Sequence, residues 1–300
     1  MKTLSLTALA LLSTSAMATD ARVAAHQGNA GIRDSTDYRT YVSRTDDGDD
    51  SIFFDLDSAD GVMSGAYKAN GTSVALSQNA TGDATSIQYY SADGDTGYGV
   101  GLEVIDMENF SVGGGYGTTS GDTDLVYGGQ ITKTGDDIGI LVGVFSRELT
   151  KKDVTTWNAT LSHGEAGQVI NGSYGMGVRH NGDRSKAAMT LGPSVGVNLP
   201  SEGDMTIDLS LVSANIAGEF ALNDWFGLRG SVVSDLMVVD PTGELDLASS
   251  GVSPMFGASI DFEGADIDMV IDPSSVLNGP YFLTGAASAP AMMMSARFDI

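Results

Sequence analysis

Ionisable side chains recur on one face of segments in which every second residue is apolar. Because a strand has a side-chain period of two, residues at alternate positions share a face. Rings of charge around a lumen select ions of the opposite sign. If these side chains line an open channel, the excess of acidic residues over Arg229 and Arg297 predicts that the channel prefers cations. The residues predicted to line it are Glu103, Asp124, Asp208, Glu219, Arg229, Asp261, Asp266 and Asp268.

The segments that carry these residues are about ten residues long and end at turn residues. Tyr98, Val100, Leu102 and Val104 alternate with small or acidic residues in one of them. Segments of this kind are typical of membrane-spanning barrels, because lipid offers a backbone no hydrogen bonds and the sheet must close on itself. The turn signals are Asn70-Gly71, Asp93-Gly94-Asp95, Ser120-Gly121-Asp122, Gly135-Asp136-Asp137, Asn181-Gly182-Asp183 and Asn223-Asp224.

The predicted fold class is therefore all-β, with a single transmembrane up-and-down antiparallel β-barrel. The segments after Ser51 number about 14, within a range of 12 to 16, and an even number is usual for bacterial single-chain barrels. A secreted soluble β-sandwich would also alternate, and it is the competing architecture.

The final ten residues form an amphipathic strand that runs to the carboxyl terminus. Met292, Met294, Ala296, Phe298 and Ile300 share one face. This pattern predicts the strand that closes the barrel, with Phe298 and Ile300 on its apolar side. The expected partners are outer-membrane lipid and, through this strand, the barrel assembly machinery.

The first residues predict export. A short positive start, an apolar stretch from Leu4 to Leu12 and Ala16-Met17-Ala18 indicate a cleaved signal peptide over residues 1–18. Residues 19–50, here called the leader, have little apolar content and are predicted to be a periplasmic or plug-like segment. Residues 51–300 form the predicted barrel. The expected location is the outer membrane of a Gram-negative bacterium.

The composition narrows the possible partners. The net charge of −24 argues against nucleic acid. No cysteine is present, so disulfides and cysteine metal sites are excluded. Asp55, Asp57 and Asp60 are of the ligand type that Ca²⁺ prefers but lack EF-hand spacing, and solvated turns explain them as well. We predict no metal, no cofactor and no enzymatic activity, because the glycine-rich and G-x-S-x-G-like stretches lie in alternating segments.

Residues 214–232 predict a hairpin with a defined register. If residues 223–225 form its turn, Glu219 lies directly opposite Arg229. An acid and a base paired across two strands stabilise a sheet by roughly 0.2–1 kcal/mol. An arginine on the lipid face at mid-membrane would instead cost about 2–4 kcal/mol, which favours an inward position for Arg229.

The stretch GEFALNDWFGLRGS within this hairpin resembles one near the C-terminus of barrels related to the long-chain fatty-acid transporter family. ARVAAHQGNAGIRDSTDYRTY is similar to the leader that precedes the first strand in many of them. The Asn-Pro-Ala motif that many members carry is missing, since Tyr41-Val42-Ser43 stands in its place. The resemblance implies a 14-stranded barrel, a plug-like N-terminal segment and, in some members, uptake of hydrophobic molecules.

These observations predict passive, porin-like diffusion or uptake of small solutes or hydrophobic ligands. The alternative is a structural or surface-interaction barrel without transport, whose loops around 235–250 and 273–290 meet the environment. In that case the leader or the loops fill the lumen and the inward acids carry no current.

Overall fold

A computed structural model describes residues 29–32, 37–47, 49–57, 62–78, 84–239, 245–246, 252–271 and 292–300. The predicted signal peptide, residues 58–61 with Asp60, and the whole of the segment 273–290 lie outside the described residues. Two short 3-10 helices, η1 (Asp37–Arg39) and η2 (Val42–Arg44), occur in the leader. No helix in the described part of the chain is long and apolar enough to cross a bilayer.

The rest of the described chain is almost entirely β-structure. The strands are β1 (Ser51–Asp57), β2 (Val62–Ala69), β3 (Thr72–Gln78), β4 (Thr85–Asp93), β5 (Thr96–Val104), β6 (Asn109–Ser120), β7 (Thr123–Thr134), β8 (Asp137–Leu149), β9 (Asp153–Gly164), β10 (Gly167–Asn181), β11 (Ser185–Pro200), β12 (Thr206–Ala221), β13 (Phe226–Val239), β14 (Leu245–Asp246), β15 (Val252–Phe262), β16 (Ala265–Ile271) and β17 (Met292–Asp299).

These strands form one closed antiparallel barrel. Each pairs with its neighbour along the chain, and β17 pairs with β1 from Ser51 opposite Asp299 to Asp57 opposite Met293. The two-residue β14 pairs only with the end of β13, which itself pairs with β15, so the wall contains 16 strands. A single closed sheet excludes the two-sheet sandwich.

The prediction of 14 strands was wrong, although the range of 12 to 16 includes the observed number. The sequence reveals a strand through side chains that alternate in polarity. Gly113, Gly114 and Gly115 in β6 have no side chains, so they hide the period of two. The strand β13 also continues to Val239, into the segment predicted to be a loop around 235–250.

The alternating pattern defines the two faces of the barrel. Tyr98, Val100, Tyr127, Tyr174 and Phe256 are each at least two-fifths exposed on the outer face. The residues between them in the strands are mostly small or polar and point inward. An apolar outer surface around a polar interior is the arrangement that suits a barrel in lipid.

The barrel has two distinguishable ends. The turn end contains Ser51, Ile300 and short connections such as Asn70-Gly71. Asn70 (φ 51°) and Gly71 (φ 69°) both have positive φ, as a two-residue hairpin turn requires. The loop end contains the connections between β5 and β6 and between β11 and β12, among others. All six predicted turn signals fall at junctions between consecutive strands, four of them with one residue in a strand end.

The predicted hairpin register is confirmed. Glu219 pairs with Arg229 across β12 and β13, and Phe220 and Leu228 are half-exposed on the outer face. The inward position of Arg229 follows from the same alternation.

Candidate functional site

Part of the leader lies against the inner wall of the barrel near the turn end. The helix η2 packs on β4, β5 and β6, and Tyr41, Val42 and Ser43 are buried. The buried side chains of the wall at this place include Asp124 on β7 and Arg147 on β8, which face each other in register. A leader with little apolar content is therefore held at a site built mainly from charge and glycine.

Arg147 links the leader to the wall. Its guanidinium lies 2.8 Å from Asp37 Oδ2 in the leader and donates to Asp124 Oδ2 at 2.8 Å. The same guanidinium lies 3.8 Å from the centre of the Tyr41 ring, within cation–π distance. Since Arg147 and Asp124 are almost fully buried, each charge depends on its partner for stabilisation.

Arg44 makes a second connection to the same carboxylate. Its Nε donates to Asp124 Oδ1 at 2.7 Å, and its Nη1 lies 3.3 Å from Asp47 Oδ2. Thr119 Oγ1 donates to Asp124 Oδ1 at 2.9 Å and lies 2.8 Å from Ser43 Oγ. Asp37, Tyr41, Arg44, Asp124 and Arg147 are called the Arg147 cluster below.

Burial also affects the Tyr41 phenol. It raises the pKa of Tyr41 to about 12, although the nearby Arg147 guanidinium acts in the opposite direction. The phenol therefore stays neutral under ordinary conditions, and its ring can serve as an apolar and cation-binding surface.

Glycines of the wall make room for η2. A Cβ atom at Gly97 would overlap the Val42 carbonyl, and one at Gly117 would lie 2.8 Å from Val42 Cγ2. Gly99 lies beside the same side chain. These residues occupy inward positions on β5 and β6. Because they have no side chains, this part of the inner wall leaves space for the leader segment.

A second leader contact lies on another part of the wall. Asn29 Nδ2 donates to Asn215 Oδ1 at 3.0 Å and to the Ala188 carbonyl at 3.4 Å. Ile32 packs against Ala188 and Ala217, which are small inward residues of β11 and β12. The leader therefore contacts the interior on two sides.

A cavity of about 320 Å³ lies between the leader and the wall. Leader residues 39–42 form part of its lining, together with Phe145 and Asn158 from the strands and several inward glycines. This space is called the lumen cavity below.

A second group of charges lies inside the wall at the turn end, around a cavity of about 510 Å³. Lys186 Nζ lies 3.0 Å from Glu219 Oε1, and Arg229 contacts both Glu219 and Asp268. Arg297 lies 3.8 Å from Asp266. Most acids of this group therefore have a basic neighbour.

The register places the eight predicted lining residues in three groups on the inward positions. Asp124 belongs to the Arg147 cluster. Glu219, Arg229, Asp261, Asp266 and Asp268 lie together at the turn end, with Asp261 directly opposite Asp266. Glu103 and Asp208 lie nearer the loop end, where Glu103 pairs in register with Ser86 and Ser111 and Asp208 pairs with Gly196.

The sequence analysis missed the inward basic residues Lys68, Arg147, Arg179 and Lys186. The two-residue turn at 135–136 places Arg147 directly opposite Asp124, whereas the three-residue turn predicted at 135–137 would have placed Glu148 there. In the part of the chain that the structure describes, no group of three or more histidine or acidic residues could hold a metal ion.

The fold is similar to that of known outer-membrane proteins. A bacterial polysaccharide outer membrane secretin matches with a TM-score of 0.54 and 9% identity, over 83% of this chain and 97% of that chain. A loop-deletion mutant of OmpT from Vibrio cholerae (TM-score 0.49, 10% identity, 84% and 97% covered) and a mutant porin of Rh. blastica (0.42, 10%, 84% and 99%) are more distant. The similarity to the secretin shows that the chain has the fold of outer-membrane β-barrels.

No protein-family profile matches the chain. No curated protein sequence is significantly similar to it. The predicted relationship to the fatty-acid transporter family is not supported, because the barrel has 16 strands instead of 14 and no profile of that family matches.

Proposed function

We propose that this protein is an outer-membrane barrel for passive diffusion or uptake of small solutes, partly occluded by its leader. The observation that carries the proposal is the distribution of side chains in a closed wall. Large apolar residues such as Tyr98 and Phe256 are exposed outside, whereas charged residues such as Arg147 and Asp124 are inside. All connections at the turn end are short and the longest connections lie at the loop end, which would place the turn end in the periplasm.

The leader contacts support partial occlusion. Arg44 and Asp37 connect η1 and η2 to buried charges of the wall, and Val42 occupies the space beside inward glycines. Breaking a buried ion pair costs about 3–5 kcal/mol, so thermal motion alone should rarely detach this part of the leader. A substitution that reverses one of its charges should detach it more readily.

Single-channel recording in planar bilayers tests the proposal. Arg44→Glu brings a carboxylate to Asp124, and we expect this variant to conduct several times more current than the wild type. Arg184→Glu is the matched control, since Arg184 is exposed at a turn and pairs with the exposed Asp224. We expect the control to conduct like the wild type.

The same recordings distinguish the alternative of a structural or surface-interaction barrel. The leader contacts two sides of the interior. If these contacts keep the lumen closed, they favour the structural role. Absence of current and of liposome swelling in both the wild type and a correctly folded Arg44→Glu variant would reject diffusion and support the structural role.

A further inference from the structure

The leader and the wall bind each other through two contacts of opposite polarity in the Arg147 cluster. The leader supplies the carboxylate of Asp37 and the guanidinium of Arg44. Asp37 Oδ2 lies 2.8 Å from Arg147 Nη1 on the wall. Arg44 Nε donates to Asp124 Oδ1, also on the wall, at 2.7 Å. The wall therefore offers one position for an anionic group and, next to it, one position for a cationic group.

The two wall residues are also held by contacts of their own. Asp124 and Arg147 pair in register on β7 and β8, and Arg147 Nε and Nη2 both donate to Asp124 Oδ2, at 3.1 and 2.8 Å. Thr119 Oγ1 of β6 donates to Asp124 Oδ1, and a carboxylate oxygen can accept two hydrogen bonds. The leader therefore uses Arg147 Nη1 and the remaining acceptor position of Asp124 Oδ1.

The leader covers this wall pair. The Tyr41 ring lies 3.8 Å from the Arg147 guanidinium, and Arg44 lies against Asp124. With the leader in place, the side chain of Asp124 is fully buried and that of Arg147 is 1% exposed. A solute can reach the pair only after the leader residues 37–44 have detached, so a solute and the leader would compete for one site.

The charges of the wall pair decide which solutes could replace the leader. Arg147 and Asp124 are neutral as a pair. The leader residues that bind to them, Asp37 and Arg44, are also neutral as a pair. A solute of one sign would bring an uncompensated charge to a buried place, whereas a solute with both signs would replace each leader contact in kind. Its two charges must be several bonds apart, because the Arg147–Asp124 ion pair lies between the two positions.

The lumen cavity gives a solute access to this part of the leader. Tyr41 and Val42 belong to its lining, and the Tyr41 ring is the group that covers Arg147. The volume of about 320 Å³ is at the lower end of the range for small-molecule sites. A small solute in the cavity therefore lies next to the leader residue that it would have to displace.

We propose that leader residues 37–44 occupy a binding site for a small solute with a carboxylate and, several bonds away, a guanidinium or ammonium group, as in a basic amino acid. The inference rests on the proposed function, because it names a solute class for the same lumen. The carboxylate of the solute replaces Asp37 at Arg147, and its cationic group replaces Arg44 at Asp124. Solute binding and leader binding exclude each other.

Calorimetry of two full-chain variants in detergent, both with a detached leader, tests the site with L-arginine. In Arg44→Glu the wall pair is intact, and we expect binding at least about tenfold tighter than to the wild type, because the leader no longer competes. In Asp124→Asn the carboxylate for the cationic group is missing, and binding should be at least about tenfold weaker than to Arg44→Glu. Arg184→Glu, at an exposed turn, is the control and should bind like the wild type.

Hydrogen–deuterium exchange of the wild type tests the competition. The amides of Tyr41, Arg44 and Thr45 donate within the leader, so their exchange reports its detachment. With L-arginine at ten times the dissociation constant measured for Arg44→Glu, we expect about tenfold faster exchange. L-Citrulline has a similar shape but no guanidinium charge, and agmatine has no carboxylate. Neither should change the exchange, and neither should an equimolar mixture of guanidinium chloride and sodium acetate, which controls for screening.

Several results would overturn the site. They are equal binding of L-arginine and L-citrulline to Arg44→Glu, equal binding of L-arginine to the two variants, no binding to a heat-modifiable Arg44→Glu barrel, and equal acceleration of exchange by the unlinked ions. Because calorimetry does not depend on conduction, an Arg44→Glu channel that carries ions without binding L-arginine would leave the proposed diffusion function intact. Binding without conduction would reject diffusion and retain the site.

Discussion

Asp124 joins the leader to the barrel through one carboxylate. Its two carboxylate oxygens interact with two arginines, one on the leader and one on the wall. The side chain is fully buried, so neither arginine can replace this carboxylate by turning to water. The link between Arg44 of the leader and the buried Arg147 of the wall therefore passes through a single acidic group.

Asp124→Asn should release the leader. The substitution keeps the shape of the side chain but leaves Arg44 and Arg147 without a shared counter-charge, at a cost of about 3–5 kcal/mol. If local opening limits proteolysis, trypsin should cleave after Arg44 roughly 10²- to 10⁴-fold faster. Mass spectrometry of the digest identifies the cut.

Asp208→Asn makes the same chemical change at an exposed inward position near the loop end and serves as the control. We expect wild-type cleavage for it. Equal rates for the wild type and Asp124→Asn would mean that this carboxylate does not hold the leader.

Tyr41 should make the leader contact sensitive to alkaline pH. Burial raises the pKa of its phenol to about 12, against about 10 for a free tyrosine. The stabilisation is fully present below about pH 10 and is lost as the pH rises towards 12, by about tenfold in the equilibrium for each pH unit. Titration of tyrosinate absorbance, taken as the difference between the wild type and Tyr41→Phe, should show a midpoint near 12.

Asp124→Asn tests whether burial of Tyr41 by the leader contact causes the raised pKa. If the leader detaches from the wall in this variant, the titration midpoint of Tyr41 should fall towards 10. A midpoint near 10 already in the wild type would show that the phenol is not buried in solution.

The strands were predictable where both faces carry side chains. The register of the β12–β13 hairpin followed from a three-residue turn and the cost of a charge in lipid, and it is confirmed. The count of strands was not predictable to the same degree, since glycine runs remove the alternating signal. Other inward glycines of β5 and β6, namely Gly97, Gly99 and Gly117, admit η2, and no local pattern in the sequence shows which wall positions the leader contacts.

The two faces of β10 should differ in their tolerance of charge. Tyr174 lies on the outer face near the middle of the strand, and Asn171 lies on the inner face. Tyr174→Arg should destabilise the barrel by about 2–4 kcal/mol, because the arginine would meet hydrocarbon. Asn171→Arg should have a much smaller effect. Urea unfolding in phospholipid vesicles measures both.

A gel shift on heating reports the folded fraction of each variant. Equal destabilisation by the two substitutions would contradict the assignment of lipid-facing and lumen-facing sides. Greater damage from Asn171→Arg would reverse it.

Over the whole molecule, the inward charge is more balanced than the sequence analysis predicted. The sequence analysis expected only Arg229 and Arg297 as basic residues among the inward acids. Four more basic residues also occupy inward positions, namely Lys68, Arg147, Arg179 and Lys186. At the turn end, Glu219 and Asp268 interact with Lys186 or Arg229. Predicting this balance needs the register of every strand, which depends on contacts between segments distant in the sequence.

The remaining cation preference should therefore come from the acids near the loop end. Glu103 pairs in register with Ser86 and Ser111, and Asp208 pairs with Gly196, so neither is paired with a basic residue among the described strand positions. In the Arg44→Glu background, where the leader no longer limits conduction, we expect the reversal potential in a salt gradient to indicate cation preference. Glu103→Gln combined with Asp208→Asn should remove most of this cation preference.

Asp122→Asn combined with Glu148→Gln is the control. It removes the same number of charges at exposed positions outside the lumen and should leave the reversal potential unchanged. Anion preference in the parent, or an equal shift in the two double variants, would reject this origin of selectivity, because only a charge that faces the path acts on the ions within it.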